Sequence, residues 1–360
     1  MEATVPPAVK KPIPVRGTAL IPQNRFETTS REAFDDGWET IAEELPVIQT
    51  QFFHDNTKSI LFKNDSPDIP MAYSLNPYRG CEHGCAYCRA RPYHEYLGFN
   101  AGIDFESKIM VKHDAPELLR REFTKRTWMP QCIMMSGNTD CYQPAERKYE
   151  ITRELLKVFL EFRNPVSLLT KNALILRDLD LLKELASMDL VSTMLSITSF
   201  DPDLRRRLEP RTSTAERKLA AIAELAKNNV RVGVMVGPII PGLNDNEVPN
   251  ILKRSADAGA KFVAHTILRL PYAVAPIFQD WIEKNFPEKA NRVMTRIRMI
   301  RGGRLNDPNW GTRMTGTGAY ADYMHRLIES LSIKYKMNEP RMALRVDLFR
   351  RTGGRGLFDA

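Results

Sequence analysis

The chain has no run of eighteen or more apolar residues, which excludes a transmembrane helix. Cysteine is scarce and unevenly placed: there are five in 360 residues, three of them packed between positions 81 and 88. An odd set of thiols spaced like that is no disulfide framework. It points to a reducing, cytoplasmic setting with thiolates that bind metal. The opening MEATVPPAVKKPIPVRG carries Pro and Lys but no apolar h-region, so no secretory leader is expected. No repeat at solenoid spacing occurs. Acidic residues are the minority, 44 against 52 Lys plus Arg, for a formal net charge of +8. The surplus permits an anionic partner without identifying one, since many cytosolic enzymes are as basic.

What is present suffices for a large core: 43% of residues are hydrophobic and 27% charged, which is a globular balance. Residues 1 to about 30 are rich in Pro, Lys and Arg and read as a loose tail. A short helix is expected over 31–45. From MAYSLNP (71–77) onward, strand-like and helical signals alternate. The runs 132–138, 165–171, 191–199, 230–238 and 261–268 are short and apolar, as parallel strands buried on both faces are. Between them, a helix opened by Pro144 places Ile151, Leu155, Val158, Phe159 and Phe162 on one face. Further helices are expected near 177–188, 214–229 and 246–258. Such βα repetition means right-handed crossovers in a doubly wound sheet or a barrel, and periodicity does not choose between them. Three regions follow: a tail with short leading elements (1–66), a βα core (67–270), and a helical, Arg-rich C-terminal extension (271–360) with a helix near 318–336.

The chemistry is concentrated in NPYRGCEHGCAYCRARPYHEYLG, residues 76–98. Cys81, Cys85 and Cys88 follow the spacing C-x3-C-x2-C, after a strand and before a helix. Thiolates are the usual ligands of iron–sulfur clusters, and three on one tight loop leave one iron of a cubane open. A structural zinc site wants four ligands, commonly in two pairs. His83 or His94 could complete such a site, so zinc stays open at this point.

The same motif, with aromatic Tyr87 just before the last cysteine, resembles the signature of the radical S-adenosylmethionine (radical SAM) superfamily. NPYRGCEHGCAYC (76–88), TDCYQPAE (139–146) and TKNALILRDLD (170–180) are similar to its spore photoproduct lyase branch, also labelled DNA repair photolyase-like. The likeness covers roughly residues 70–270. It implies an α/β fold, a partial (β/α)6 TIM-type barrel. It also implies a [4Fe–4S] cluster on Cys81, Cys85 and Cys88, with SAM chelating the open iron. Reductive cleavage of SAM would then give a 5′-deoxyadenosyl radical that abstracts hydrogen from a substrate. The cofactor carries the hard chemistry and the protein the orientation. An external low-potential electron donor, such as a flavodoxin or ferredoxin, is implied as well.

Barrel sites form at the C-terminal ends of strands. The resemblance therefore places SAM against Tyr87, the turn Ser136-Gly137-Asn138-Thr139, Thr170 and Lys171, Ser196 and Thr198, Arg211, and Gly237 with Ile239. The 136–139 turn departs from the Gly-Gly-Glu-like form usual in the superfamily, and a plain Gly/Asn turn would look the same. Glu209 reads as a surface ion pair. Cys141 and Tyr142 are the candidates for hydrogen-atom relay, and Cys132 reads as a small core residue. In the extension, Arg292, Arg296, Arg298, Arg301, Arg304 and Arg313 accompany Trp310, and the tail adds Arg341, Arg345, Arg350, Arg351 and Arg355 with Phe349 and Phe358. Arginine interleaved with aromatics suits phosphate and base contacts, so the extension is expected to cover the barrel mouth and offer an anionic substrate, such as nucleic acid, a basic surface. Two readings compete: a radical SAM enzyme modifying a peptide or small metabolite, and a non-catalytic metal-containing nucleic-acid-binding protein.

Overall fold

A computed structural model describes residues 16–27, 48–340 and 344–351. The helix expected over 31–45 lies outside these residues. The main sheet holds six parallel strands: β1 (Tyr73–Leu75), β2 (Ile133–Met135), β3 (Val166–Thr170), β4 (Val191–Ile197), β5 (Arg231–Ile239) and β6 (Val263–Ile267). They pair in chain order, and the short strand Leu61–Lys63 adds antiparallel to β1 at one edge. Between and after them run helices α1 (Ala115–Thr124), α2 (Ile151–Phe162), α3 (Leu179–Ala186), α4 (Ala215–Lys227), α5 (Val248–Asp257), α6 (Val274–Asn285), α7 (Pro287–Met299) and α8 (Ala319–Lys334). The sheet curls without closing, which is the partial-barrel architecture, and the helical C-terminus is present. No described helix is long and apolar enough to cross a membrane.

The helix expected from Pro144 is interrupted. Glu146–Tyr149 makes one turn, Glu150 takes a left-handed conformation (φ 52°), and α2 starts at Ile151. The break is held by Glu146, whose carboxylate accepts the Thr152 N–H at 3.0 Å, a partner for a helix-terminal donor. Alternation along the strands sorts the two faces of the sheet. Leu75, Ile133 and Met135 join the core with Leu155 and Phe159 of α2, whereas Ser74 and Met134 face a cavity inside the barrel.

The extension spans the open side of the barrel. Met314 C=O accepts the Ile267 N–H of β6 at 2.9 Å, and at the other edge Asp68 accepts the Gly311 N–H at 2.6 Å and pairs with Arg313. Arg301, expected on a basic surface, is instead buried (3% exposed). Its guanidinium donates to four carbonyl oxygens, of Ile267, Leu268, Thr312 and Arg313, between 2.7 and 3.1 Å. Hydrogen bonds from a buried charged donor are among the stronger ones. Arg301→Ala should therefore cost on the order of 3 kcal/mol, measured by denaturant unfolding, with Arg301→Lys recovering only part.

The tail arginines are also tied down, at the far end of the strands. Arg345 N–H bonds Asp189 C=O before β4, Arg350 bonds Glu161 and Phe162 carbonyls before β3, and Arg351 reaches Trp128 C=O before β2. Phe349 packs on Phe123 and Phe162. These residues are away from the mouth, so Arg345, Arg350 and Arg351 do not supply the basic surface expected there. Arg341, Arg355 and Phe358 lie outside the described residues.

Candidate active site

The three cysteines occupy one loop that starts five residues after β1. Gly80 (φ 77°) and Gly84 (φ 66°) both take the left-handed backbone that favours glycine. Cys81 and Cys85 are buried and Cys88 half-buried. Burial pushes the Cys81 thiol well up, and Asp140, Cys88 and Cys85 add to it. Cys85 is raised by burial and then by Glu209. A bound metal cation offsets the charge of the thiolates that ligate it. Three thiols on separate irons need not meet at one ion. Among the described residues no three His, Cys, Asp or Glu side chains do.

Braces hold the loop from every side. Arg91, fully buried, donates to Cys85 C=O (3.0 Å), to the carbonyls of Ala101 and Gly102, and to Glu106. Glu106 accepts the Gly17 N–H at 2.8 Å, which draws the segment 16–27, part of the region read as a tail, against the loop. A Cβ on Gly17 would lie 1.5 Å from Gly84 O, so backbone meets backbone there. The Gln143 amide accepts the Glu82 N–H (2.8 Å) and donates to Gly80 C=O (3.2 Å). Asp140 accepts from Thr170 Oγ1 and the Lys171 N–H, both at 2.7 Å, and faces His83 Nδ1 at 3.3 Å. Burial would raise Asp140, but His83 and these donors hold it below its ordinary value.

Beside Cys85 sits a buried charged knot. Glu209 is fully buried, not on the surface as its sequence setting suggested. It accepts from Tyr87 Oη and Thr198 Oγ1 and faces Lys171 Nζ (3.0 Å) and Lys218 Nζ (3.5 Å). Burial opposes its charge, yet the two ammonium groups prevail and hold its carboxyl below the usual range. Lys171 also donates to Ser196 Oγ (2.7 Å), Thr198 Oγ1 (3.3 Å) and Gly237 C=O (3.1 Å). Burial would lower it, and Glu209 and Cys85 leave it raised.

Most sequence-selected residues thus meet at the strand ends. Asn76 Oδ1 accepts the N–H groups of Asn138 and Thr139, and Arg89 donates to Gly137 C=O at 2.6 Å. Ser136 is left-handed (φ 75°), and its Oγ accepts the Cys141 N–H. Ile239 is buried at the end of β5. Arg211 approaches the loop by pairing with Glu82 (3.1 Å). Cys141 and Tyr142 are placed differently. Both are fully buried in the core behind β2, and the Tyr142 hydroxyl donates to Asp178 at 3.1 Å. Cys132 is half-buried at the start of β2, pushed up to about 12 by burial. Sequence reading took Glu209 for a surface ion pair and gave no role to Asp140, Arg91 and Gln143. Arg91, three residues after the third cysteine, and Asp140 and Gln143, both inside TDCYQPAE, nonetheless stood in segments already marked out.

An open barrel with three thiols on the loop after its first strand defines a class of enzyme that keeps its reactive group above the strand ends. The chain belongs to the radical SAM superfamily, whose family model matches residues 75–254. That membership makes it an enzyme of radical chemistry and implies a [4Fe–4S] cluster and SAM as cofactors. An uncharacterized protein of Mycobacterium tuberculosis is 36% identical over 226 residues, spanning 62% of this chain and 66% of its own length. A Methanocaldococcus jannaschii protein is 31% identical over 61% of this chain and 79% of its own. A radical SAM Nα-GlyT isomerase of Pseudomonas phage M6 is 25% identical over 64% and 46%. Among solved structures, spore photoproduct lyase complexed with dinucleoside spore photoproduct shares the fold, with a TM-score of 0.57, 15% identity and 79% of each chain covered.

Proposed function

We propose that Cys81, Cys85 and Cys88 ligate three irons of a [4Fe–4S] cluster and that SAM occupies the mouth beside it, for hydrogen abstraction from a nucleic-acid substrate. The observation that carries this reading is the braced loop, which holds three thiols at the strand ends. Such a donor set fits iron–sulfur ligation. When bound, the pair supplies a 5′-deoxyadenosyl radical, with an electron from a low-potential flavodoxin or ferredoxin.

The chain's own part is positioning and exclusion of water. Arg91 and Gln143 fix the loop backbone. The 136–139 turn, pinned by Asn76 and Arg89, offers its backbone to the methionine end of SAM. Lys171 orders Ser196, Thr198 and the Gly237 carbonyl into one polar strip, with Thr170 and Ile239 flanking it and Arg211 at its edge, for the ribose, carboxylate and adenine. Tyr87 ties the cysteine loop to that strip through Glu209. Nucleic acid as substrate is supported by the fold shared with the lyase solved with a dinucleoside spore photoproduct.

The test is anaerobic reconstitution. About four irons per chain are expected, by the cubane stoichiometry, along with 5′-deoxyadenosine and methionine on reduction with SAM. The Cys81→Ala/Cys85→Ala/Cys88→Ala protein should give neither. Stoichiometric zinc without labile sulfide would sink the reading.

A further inference from the structure

The cavity of about 380 Å³ inside the barrel, against β1, β2 and the cysteine loop, is basic and free of acid. Lys63, Arg79, Arg89 and Lys112 line it, and among the described residues no Asp or Glu does. Arg79 is answered by Asp55 at 2.7 Å. Arg89 bonds only the Gly137 carbonyl, and it has no acidic partner among the described residues. Lys112 is 2% exposed and also lacks one, its ammonium resting 5.2 Å from the Phe62 ring. Burial drops Lys112 to about 8, with Asp55 opposing the drop and Arg79 adding to it. A buried cation without an ion-pair partner is costly to keep. An anion entering the cavity removes that cost.

Two further polar atoms wait in the same walls. His94 is 1% exposed and its Nε2 has no hydrogen-bond partner, and neither has Asn138 Oδ1. Buried polar groups are rarely left unmatched unless a ligand or water answers them. Tyr93 and Phe62 line the cavity with about half of each side chain exposed. Just past β6, Arg269 is half-buried and has no ion-pair partner among the described residues, lowered to about 10 first by burial and then by Arg89 and Arg313, so positive charge continues along the rim.

We propose that this cavity is a nucleotide subsite: Lys112 and Arg89 hold a phosphodiester of single-stranded or everted nucleic acid, Tyr93 and Phe62 flank the base, and His94 and Asn138 bond its polar edge. A base stacked in a duplex does not reach a pocket inside a barrel, so the nucleotide enters unpaired. Ring faces give the base a stacking surface that an acidic peptide would leave unused. The inference deepens the substrate half of the proposed function and leaves its cofactor half aside.

The experiment uses the full chain, reconstituted anaerobically, with iron content read separately. A failure of cluster assembly is thereby told apart from a failure of this subsite. Binding of a fluorescein-labelled deoxyhexanucleotide is followed by anisotropy without turnover, beside the same sequence with a neutral methylphosphonate backbone. Lys112→Gln is expected to weaken the phosphodiester oligomer at least tenfold and the neutral one little. Its salt slope should fall by about 0.7, one phosphate on a single strand. The variant should unfold at the same or a higher temperature, since it removes an unpaired buried charge, and Arg89→Gln should repeat the binding loss. The proposal is overturned if wild type binds no oligomer at low salt, if Lys112→Gln binds it unchanged, or if hexaglutamate competes as well as the oligomer. It is equally overturned if the variants lose SAM affinity while keeping the oligomer, which would make the anion the cofactor's carboxylate.

Discussion

Glu209→Ala should unfold at a much lower denaturant concentration than wild type, by about 3–5 kcal/mol, the cost of breaking a buried ion pair from one side. The reason is local and severe. Lys171 and Lys218 both face this carboxylate inside the protein, at 3.0 and 3.5 Å, and removing it leaves two buried ammonium groups with like charge. Even in wild type Lys218 is lowered by burial, with Glu209 opposing. Without Glu209, Lys218 should fall further, and Lys171 should lose the interaction that holds it up, so that burial takes both below their unfolded value of about 10.4. The unfolded chain then binds more protons than the folded one, so the variant's stability should rise as pH climbs from 7 towards 10. Unfolding followed across that range checks the sign. Glu209→Ala/Lys218→Met should recover part of the loss. A pH-independent deficit would mean the knot contributes packing and little charge.

Gly17→Ala tests the other surprising contact. An added methyl would sit 1.5 Å from the Gly84 carbonyl, and the obstacle is backbone on both sides, so no side chain can swing away. The segment must lift, taking its bonds to Glu106 with it: the Gly17 N–H at 2.8 Å and Arg16 to the Glu106 carbonyl at 2.6 Å. Overpacking of this kind costs about 1–3 kcal/mol. Because Glu106 also pairs with Arg91, which holds the Cys85 carbonyl, the loss should reach the cysteine loop. The expected result is iron released to a chelator several times faster than from wild type, with cleavage near residue 27 under limited proteolysis and far-UV dichroism retained. Unchanged iron retention with a detached segment would show that the loop stands without it.

The sequence by itself determined the βα order, because short apolar runs bounded by turn residues and helices with one apolar face leave little else to build. It also determined the three thiols, because metal ligation depends on spacing within a single loop. The core helices from Leu179 to Asp257 fall within a few residues of their expected bounds for the same local reason. What faces what was decided only in three dimensions. Glu209 reads as a solvated charge beside LRRRL, and it became the centre of a buried knot when α4 and the end of β3 brought two lysines onto it. Arg301 stood in a basic run that could have met phosphate, and the fold spent its donors on four carbonyls where the extension joins β6. Cys141 and Tyr142 follow a strand end, yet the turn at Ser136 sends them behind the sheet instead of into the mouth. Local pattern fixes an element and its buried face. The partner of a charged side chain comes from elements far away in sequence, and only the packed chain supplies it.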